Sequence, residues 1–142
     1  IIVDINGNFE SGLGYSPISP NRIADTRSGI GGIAVQSIGD NAGNGTPLEV
    51  SVTGTSGIPL SGVTAVSLNV TALGISTSPY GGYITVYPCD NRPNASNLNF
   101  VAGQIVPNAV IAPVSTRGTV CFYVYGIANI LIDVNGYVNN VA

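Results

Sequence analysis

Residues 130–138 read ILIDVNGYV, and residues 1–9 read IIVDINGNF. The two phrases share Ile, Asp, Asn and Gly at the same places, and most other positions differ only by apolar exchange. In the second copy Ile130, Ile132 and Val134 form one apolar face, with Asp133 and Asn135 on the other, where Leu131 is the exception. In the first copy Ile1, Val3 and Ile5 repeat that face, with Ile2, Asp4 and Asn6 opposite. A period of two is the signature of a β-strand. Gly136 and Gly7 then permit a turn or bulge. The spacing of the copies is too long for one turn of a solenoid but suits a whole small domain.

The same alternation recurs along the chain. Val66, Leu68 and Val70 oppose Ser67, Asn69 and Thr71, while Val120, Phe122 and Val124 oppose Cys121, Tyr123 and Tyr125. That pattern places the cysteine on the more polar, tyrosine-bearing face. Strands are expected at residues 1–6, 22–25, 33–37, 48–53, 63–72, 83–87, 97–101, 109–114, 120–125 and 129–135, each bounded by Gly, Pro, Asn or Ser. No window sustains a helical period. The expected fold is all-β, a Greek-key β-sandwich of about ten short antiparallel strands.

A length of 142 residues suits one domain with a proper core. Residues 10–142 form that module, and residues 1–9 are the terminal strand. Two near-identical strands compete for one place in one sheet. If residues 130–135 fill it, residues 1–6 belong in the equivalent place of a neighbouring unit, through tandem connection or strand donation. The alternative is that both strands belong to one pseudo-symmetric sandwich.

Composition narrows the function. The chain is 44% apolar and only 8% charged, with 19 Gly and 9 Pro and neither His nor Trp nor Met; an ordinary soluble domain carries about 25% charged residues. The basic residues are Arg22, Arg27, Arg92 and Arg117, too few and too scattered to neutralise a nucleic-acid backbone or to form a basic membrane face. The apolar runs are far shorter than the ~20 residues that span a bilayer as a helix. No signal peptide is seen, and the absence of an initiator Met suggests a mature or excised fragment.

Cys89 and Cys121 are the only cysteines, and no metal or redox spacing surrounds them. A disulfide in an oxidising compartment is expected, two buried free thiols being the alternative. Without His or Lys, a Ser or Cys nucleophile lacks its usual base, so an enzyme is not expected. Nor is any cofactor or metal. Asp133 with Asn135, and Asp4 with Asn6, supply only a fragment of a calcium loop.

Arg22, Asp25 and Arg27 form the only dense charge cluster, read as an internal structural network rather than an anion or sugar-acid site. Tyr80, Tyr83, Tyr87, Tyr123 and Tyr125 could form a platform for stacking sugars, or half-buried sheet fillers. Asn44, Asn69 and Asn94 match the glycosylation acceptor pattern.

The segments RIADTR (22–27), LNVT (68–71), YPC (87–89), SNLNF (96–100) and DVNGY (133–137) occur in this order. Together they resemble the roughly 130-residue modules of secreted actinobacterial-type bacterial surface proteins, which read RLLDTR, LNVT, TVYPCG, SNLN and DVNGYF. The departures, at Ile23, Ala24, Asn8 and Val138, are packing changes. The resemblance implies a non-catalytic module used in tandem arrays at the cell surface, or as an accessory domain beside secreted hydrolases. The function expected is therefore an extracellular structural module joined head to tail to other copies in a fibre, stalk or filament. The alternative is a carbohydrate- or cell-wall-binding domain whose partner is surface polysaccharide.

Overall fold

The computed structural model describes residues 14–40 and 45–140. Eight strands follow in chain order: β1 (Tyr15–Asp25), β2 (Leu48–Ser51), β3 (Val63–Ser76), β4 (Gly82–Tyr87), β5 (Leu98–Phe100), β6 (Ile105–Pro113), β7 (Thr119–Tyr125) and β8 (Ile127–Asn139). They form two four-stranded antiparallel sheets, ordered β1-β8-β3-β6 and β2-β7-β4-β5. The pairing is nested, with β1 on β8, β2 on β7, β3 on β6 and β4 on β5. No helix among the described residues is long and apolar enough to cross a membrane.

The inner faces of both sheets share one core. From the first sheet come Val66, Leu68, Val70 and Ala72 of β3 with Ala128, Ile130, Ile132 and Val134 of β8, all at 0% exposure. From the second come Ile84, Val86, Val120, Phe122 and Val124. Burying each such aliphatic side chain is worth about 1.5–3 kcal/mol as an upper estimate. This is why the period-two runs fold as strands in a chain that is otherwise rich in glycine.

The described residues hold eight strands, against about ten expected. Residues 1–6 lie outside the described residues. Residues 33–37 are not a strand: they run as irregular backbone whose side chains are mostly exposed, with Ile33 half-buried on the core and the Ser37 hydroxyl on Asn129, and isolated bridges form just after them at Ile38–Ala128 and Asp40–Tyr125. β1 is longer than expected and begins at Tyr15, with Pro17 and Pro20 inside it. Proline is tolerated there because β1 is an edge strand paired only with β8, and its register slips between Pro17 and Asn21.

β8 also runs past residue 135. Its register against β3 steps from Leu68↔Val134 to Ser67↔Gly136, so Asn135 is an extra residue in a β-bulge. The bulge reverses the alternation: the core-facing residue after Val134 is Tyr137, opposite Val66. At Gly136 a Cβ would collide with the Tyr15 ring, so the glycine of DVNG is there for close approach.

The described chain enters and leaves side by side. Tyr15 pairs with Val138, the Asn139 amide donates to the Gly14 carbonyl at 2.7 Å, and the Asn140 amide donates to the Gly62 carbonyl at 2.8 Å. Ser76, at the far end of β3, faces Ile127 at the start of β8. The sandwich therefore has one pole where the described chain enters and leaves, the attachment pole of any longer chain, and an opposite pole about 40 Å away along a 14-residue strand.

Candidate functional site

The outer face of the second sheet carries the tyrosines, as alternation along β4 and β7 demands. In register across β5, β4 and β7 stand Asn99, Tyr83 and Tyr125, and further along Thr85 stands beside Tyr123 and Tyr87 beside Cys121. This face divides in two.

One half is covered. Between β4 and β5 the chain makes a strap, residues 88–97, which folds back over the sheet. Cys89 is bonded to Cys121, the Thr85 hydroxyl donates to the Ala95 carbonyl at 2.6 Å, and Asn97 both donates its amide to the Ile84 carbonyl and accepts the Val86 amide. The Arg92 guanidinium lies 3.6 Å above the centre of the Tyr123 ring, a cation–π contact. Beneath the strap, Tyr87, Cys121 and Tyr123 make a second, small core. Burial raises the hydroxyl pKa of both Tyr87 and Tyr123 above the ordinary value.

Of the two readings of the five tyrosines, Tyr87 and Tyr123 take that of sheet fillers. Tyr87 and Tyr123 are at 5% and 1% exposure and cannot stack on a ligand. The cysteine lies on the tyrosine-bearing face, in the half that the strap buries.

The other half is open. Tyr83 and Tyr125 stack on each other, centroids 5.3 Å apart and planes 16° apart. Tyr80 stands 99% exposed on the turn between β3 and β4. The Ser78 hydroxyl holds that turn, donating to the Gly81 carbonyl and accepting the Tyr80 amide. A groove of about 490 Å³ is lined by Tyr80, Tyr83, Tyr125, Phe100, Asn99 and Gln104, among others. A second groove of about 480 Å³ lies across Tyr83, against Arg92 and the strap. Tyr83 is the ridge between them.

The charge cluster closes on itself. Arg27 clasps Asp25 through Nε to Oδ1 at 3.0 Å and Nη2 to Oδ2 at 2.8 Å, and its backbone amide donates to the same Oδ1. Asp25 is buried, and these bonds hold its carboxyl below the ordinary carboxylate range, against the opposing cost of burial. Arg22 clasps Asp133 of β8 in the same bidentate way, at 2.8 and 3.0 Å, and lies 3.7 Å from Asp25. Both guanidinium forks are thus committed to carboxylates of the fold. Asp133 is the member that sequence reasoning missed; the signal is the β1–β8 register, which sets Arg22 opposite Asp133.

Asp133 is therefore Arg22's ion-pair partner, and Asp4 and Asn6 lie outside the described residues. The sulfurs of Cys89 and Cys121 lie near Glu49, but their disulfide leaves no thiolate to offer a metal. Glu49 itself accepts from Arg117 at 2.8 Å and from the Thr119 hydroxyl at 2.7 Å. Of the acceptor-pattern asparagines, Asn69 sits within β3 between β6 and β8, Asn94 is exposed on the strap, and Asn44 lies outside the described residues.

No family model, curated protein or solved structure matches the chain.

Proposed function

We propose that this protein is an extracellular, non-catalytic repeat module that works alongside other copies of itself in a surface assembly. One observation carries the reading. β8 is an inner strand, bonded to β1 on one side and β3 on the other, and its Ile130, Ile132 and Val134 are fully buried. Residues 1–9 repeat its sequence. A second copy of an inner strand has no vacancy in a sandwich that already holds the first. On this reading residues 1–9 take the β8 place of a neighbouring unit, and the module itself is residues 10–142.

Other features are consistent with it. The nested pairing is that of a hairpin rolled into two sheets, which supports a jelly roll built of two Greek keys. The disulfide supports an oxidising compartment, and sparse surface charge suits a secreted protein. Among the described residues the acids are either clasped by arginine or scattered, which supports a role other than catalysis. Because the described chain enters and leaves at one pole, successive units of a tandem array would join through that pole. The far poles would then point outward, a comb rather than a string of beads.

The test is deletion of residues 1–9. The shortened chain should fold with its melting temperature unchanged, since the slot between β1 and β3 is filled without them. In the intact chain, Val3→Asp should weaken association with other copies and leave melting alone. A truncated chain that fails to fold would return residues 1–9 to their own sandwich and end the repeat reading.

A further inference from the structure

We infer that the open groove at the free pole is a binding site for a neutral glycan chain. The inference does not depend on how the units are joined.

The groove has two aromatic walls of different origin. Tyr83 is fixed on a strand and braced by its stack with Tyr125, so its ring is held in place before any ligand arrives. Tyr80 rises from a turn closed by the Gly81 amide on the Ser78 carbonyl at 3.0 Å as well as by the Ser78 hydroxyl. A tyrosine held at 99% exposure on such a turn gives the folded monomer almost nothing. Its ring is available to a partner. The face of a pyranose ring presents slightly positive C–H groups, which suit the negative face of a phenol ring.

Between the walls the chemistry is that of amides. Asn99 is exposed in register beside Tyr83. Gln104 spends its Oε1 on the Val101 amide at 3.1 Å, which leaves its NH2 group to donate. Ring hydroxyls need such donors and acceptors together. The described residues that line the groove include no charged side chain, so an acidic sugar finds no counter-ion there and a neutral one has no charge to desolvate. The volume of about 490 Å³ lies within the range of small-ligand clefts.

Position fits this use. The groove is at the β3–β4 turn, about 40 Å from the pole where Gly14 and Asn139 meet. Whatever holds the module at its attachment pole leaves the groove facing away.

The experiment is an NMR titration of the ¹⁵N-labelled full chain with cellohexaose, xylohexaose and mannohexaose at millimolar concentration, with oligogalacturonate as the acidic counterpart. At least one neutral hexasaccharide should shift the amides of Gly81, Gly82, Tyr83, Val101 and Gln104 in a saturable way, and oligogalacturonate should bind more weakly. Tyr80→Ala and Asn99→Ala, both exposed and free to fold, should each weaken binding by about three- to tenfold. Silence with all three neutral chains overturns the proposal, as does saturable shifting centred on the strap, or tighter binding of the acidic chain. Unchanged affinity in Tyr80→Ala also overturns it. If the same amides move on dilution without any sugar, the occupant is a second copy of the chain and the proposal is wrong.

Discussion

Breaking the Cys89–Cys121 bridge tests how the strap is held. The bond joins positions 32 residues apart, and removing a cross-link of that length from the unfolded ensemble is worth about 3–4 kcal/mol on the chain-entropy account. With an unfolding entropy of about 2.1 cal/mol/K per residue, that corresponds to a fall in melting temperature of roughly 10–13 °C for 142 residues. Because Cys89 has φ near +61°, unusual for a residue other than glycine, the bond also anchors a backbone conformation that the chain disfavours. The double variant Cys89→Ser with Cys121→Ser should therefore melt lower by that amount. It should also show faster hydrogen exchange at the Asn97 and Val86 amides, which bind the strap to β4. Scanning calorimetry and exchange mass spectrometry give the two readings. A loss below about 1 kcal/mol, with exchange at Asn97 unchanged, would refute the reasoning and assign the strap's hold to its hydrogen bonds and the Arg92–Tyr123 contact.

Ile132→Ala, at the middle of β8, should cost about 2–5 kcal/mol in urea unfolding, whereas Ile111→Ala on the exposed side of edge strand β6 should stay within about 0.5 kcal/mol. Equal losses would mean that the core is not where the sheets meet. Asp25 has a folded-state pKa below its ordinary value near 3.8, so as pH falls the unfolded chain binds the proton first. The stability contributed by its arginine clasp is thus present above about pH 4 and lost as pH falls through the depressed value. Asp25→Asn should lower stability at neutral pH and flatten the acid limb below about pH 4, read from melting temperatures at pH 2–7; an unchanged acid limb would remove Asp25 from that role.

Alternation makes the strands legible wherever a run of aliphatic residues faces the core, as in β3, β7 and β8 up to Val134. It fails where something other than period two decides the outcome. Residues 33–37 have β-forming composition but follow Gly31 and Gly32 and pair with no strand themselves, isolated bridges forming just beyond them at Ile38 and Asp40, so they gain no ladder and bury little beyond Ile33. In β1, Pro17 and Pro20 argue locally against a strand, and only its edge position accommodates them. Of the turn or bulge that Gly136 permits, the chain takes the bulge, and Tyr15 and Val138 keep the two strands together beyond it. For the tyrosines, alternation gives the right face but not its cover. The strap is polar and proline-bearing and has no pattern that says where it folds; only the disulfide hints at the return. Arg22 and Asp133 lie 111 residues apart, and nothing local joins them until β1 and β8 are in register.

The side-by-side ends of β1 and β8 also fix how the molecule answers to force. A pull applied through Gly14 and Asn139 acts across the first rung of the β1–β8 ladder and not along it. The rungs then open in succession, as in a zipper, instead of resisting together in shear. β1 is an edge strand whose ladder is already broken between Pro17 and Asn21 and between Arg22 and Ala24, so each short stretch opens separately. Peeling the 11 residues of β1 releases up to about 35 Å of chain while β8 stays bonded to β3. Loaded through these ends, the domain lengthens in small steps at low tension and keeps the far pole folded until the outermost strand has gone.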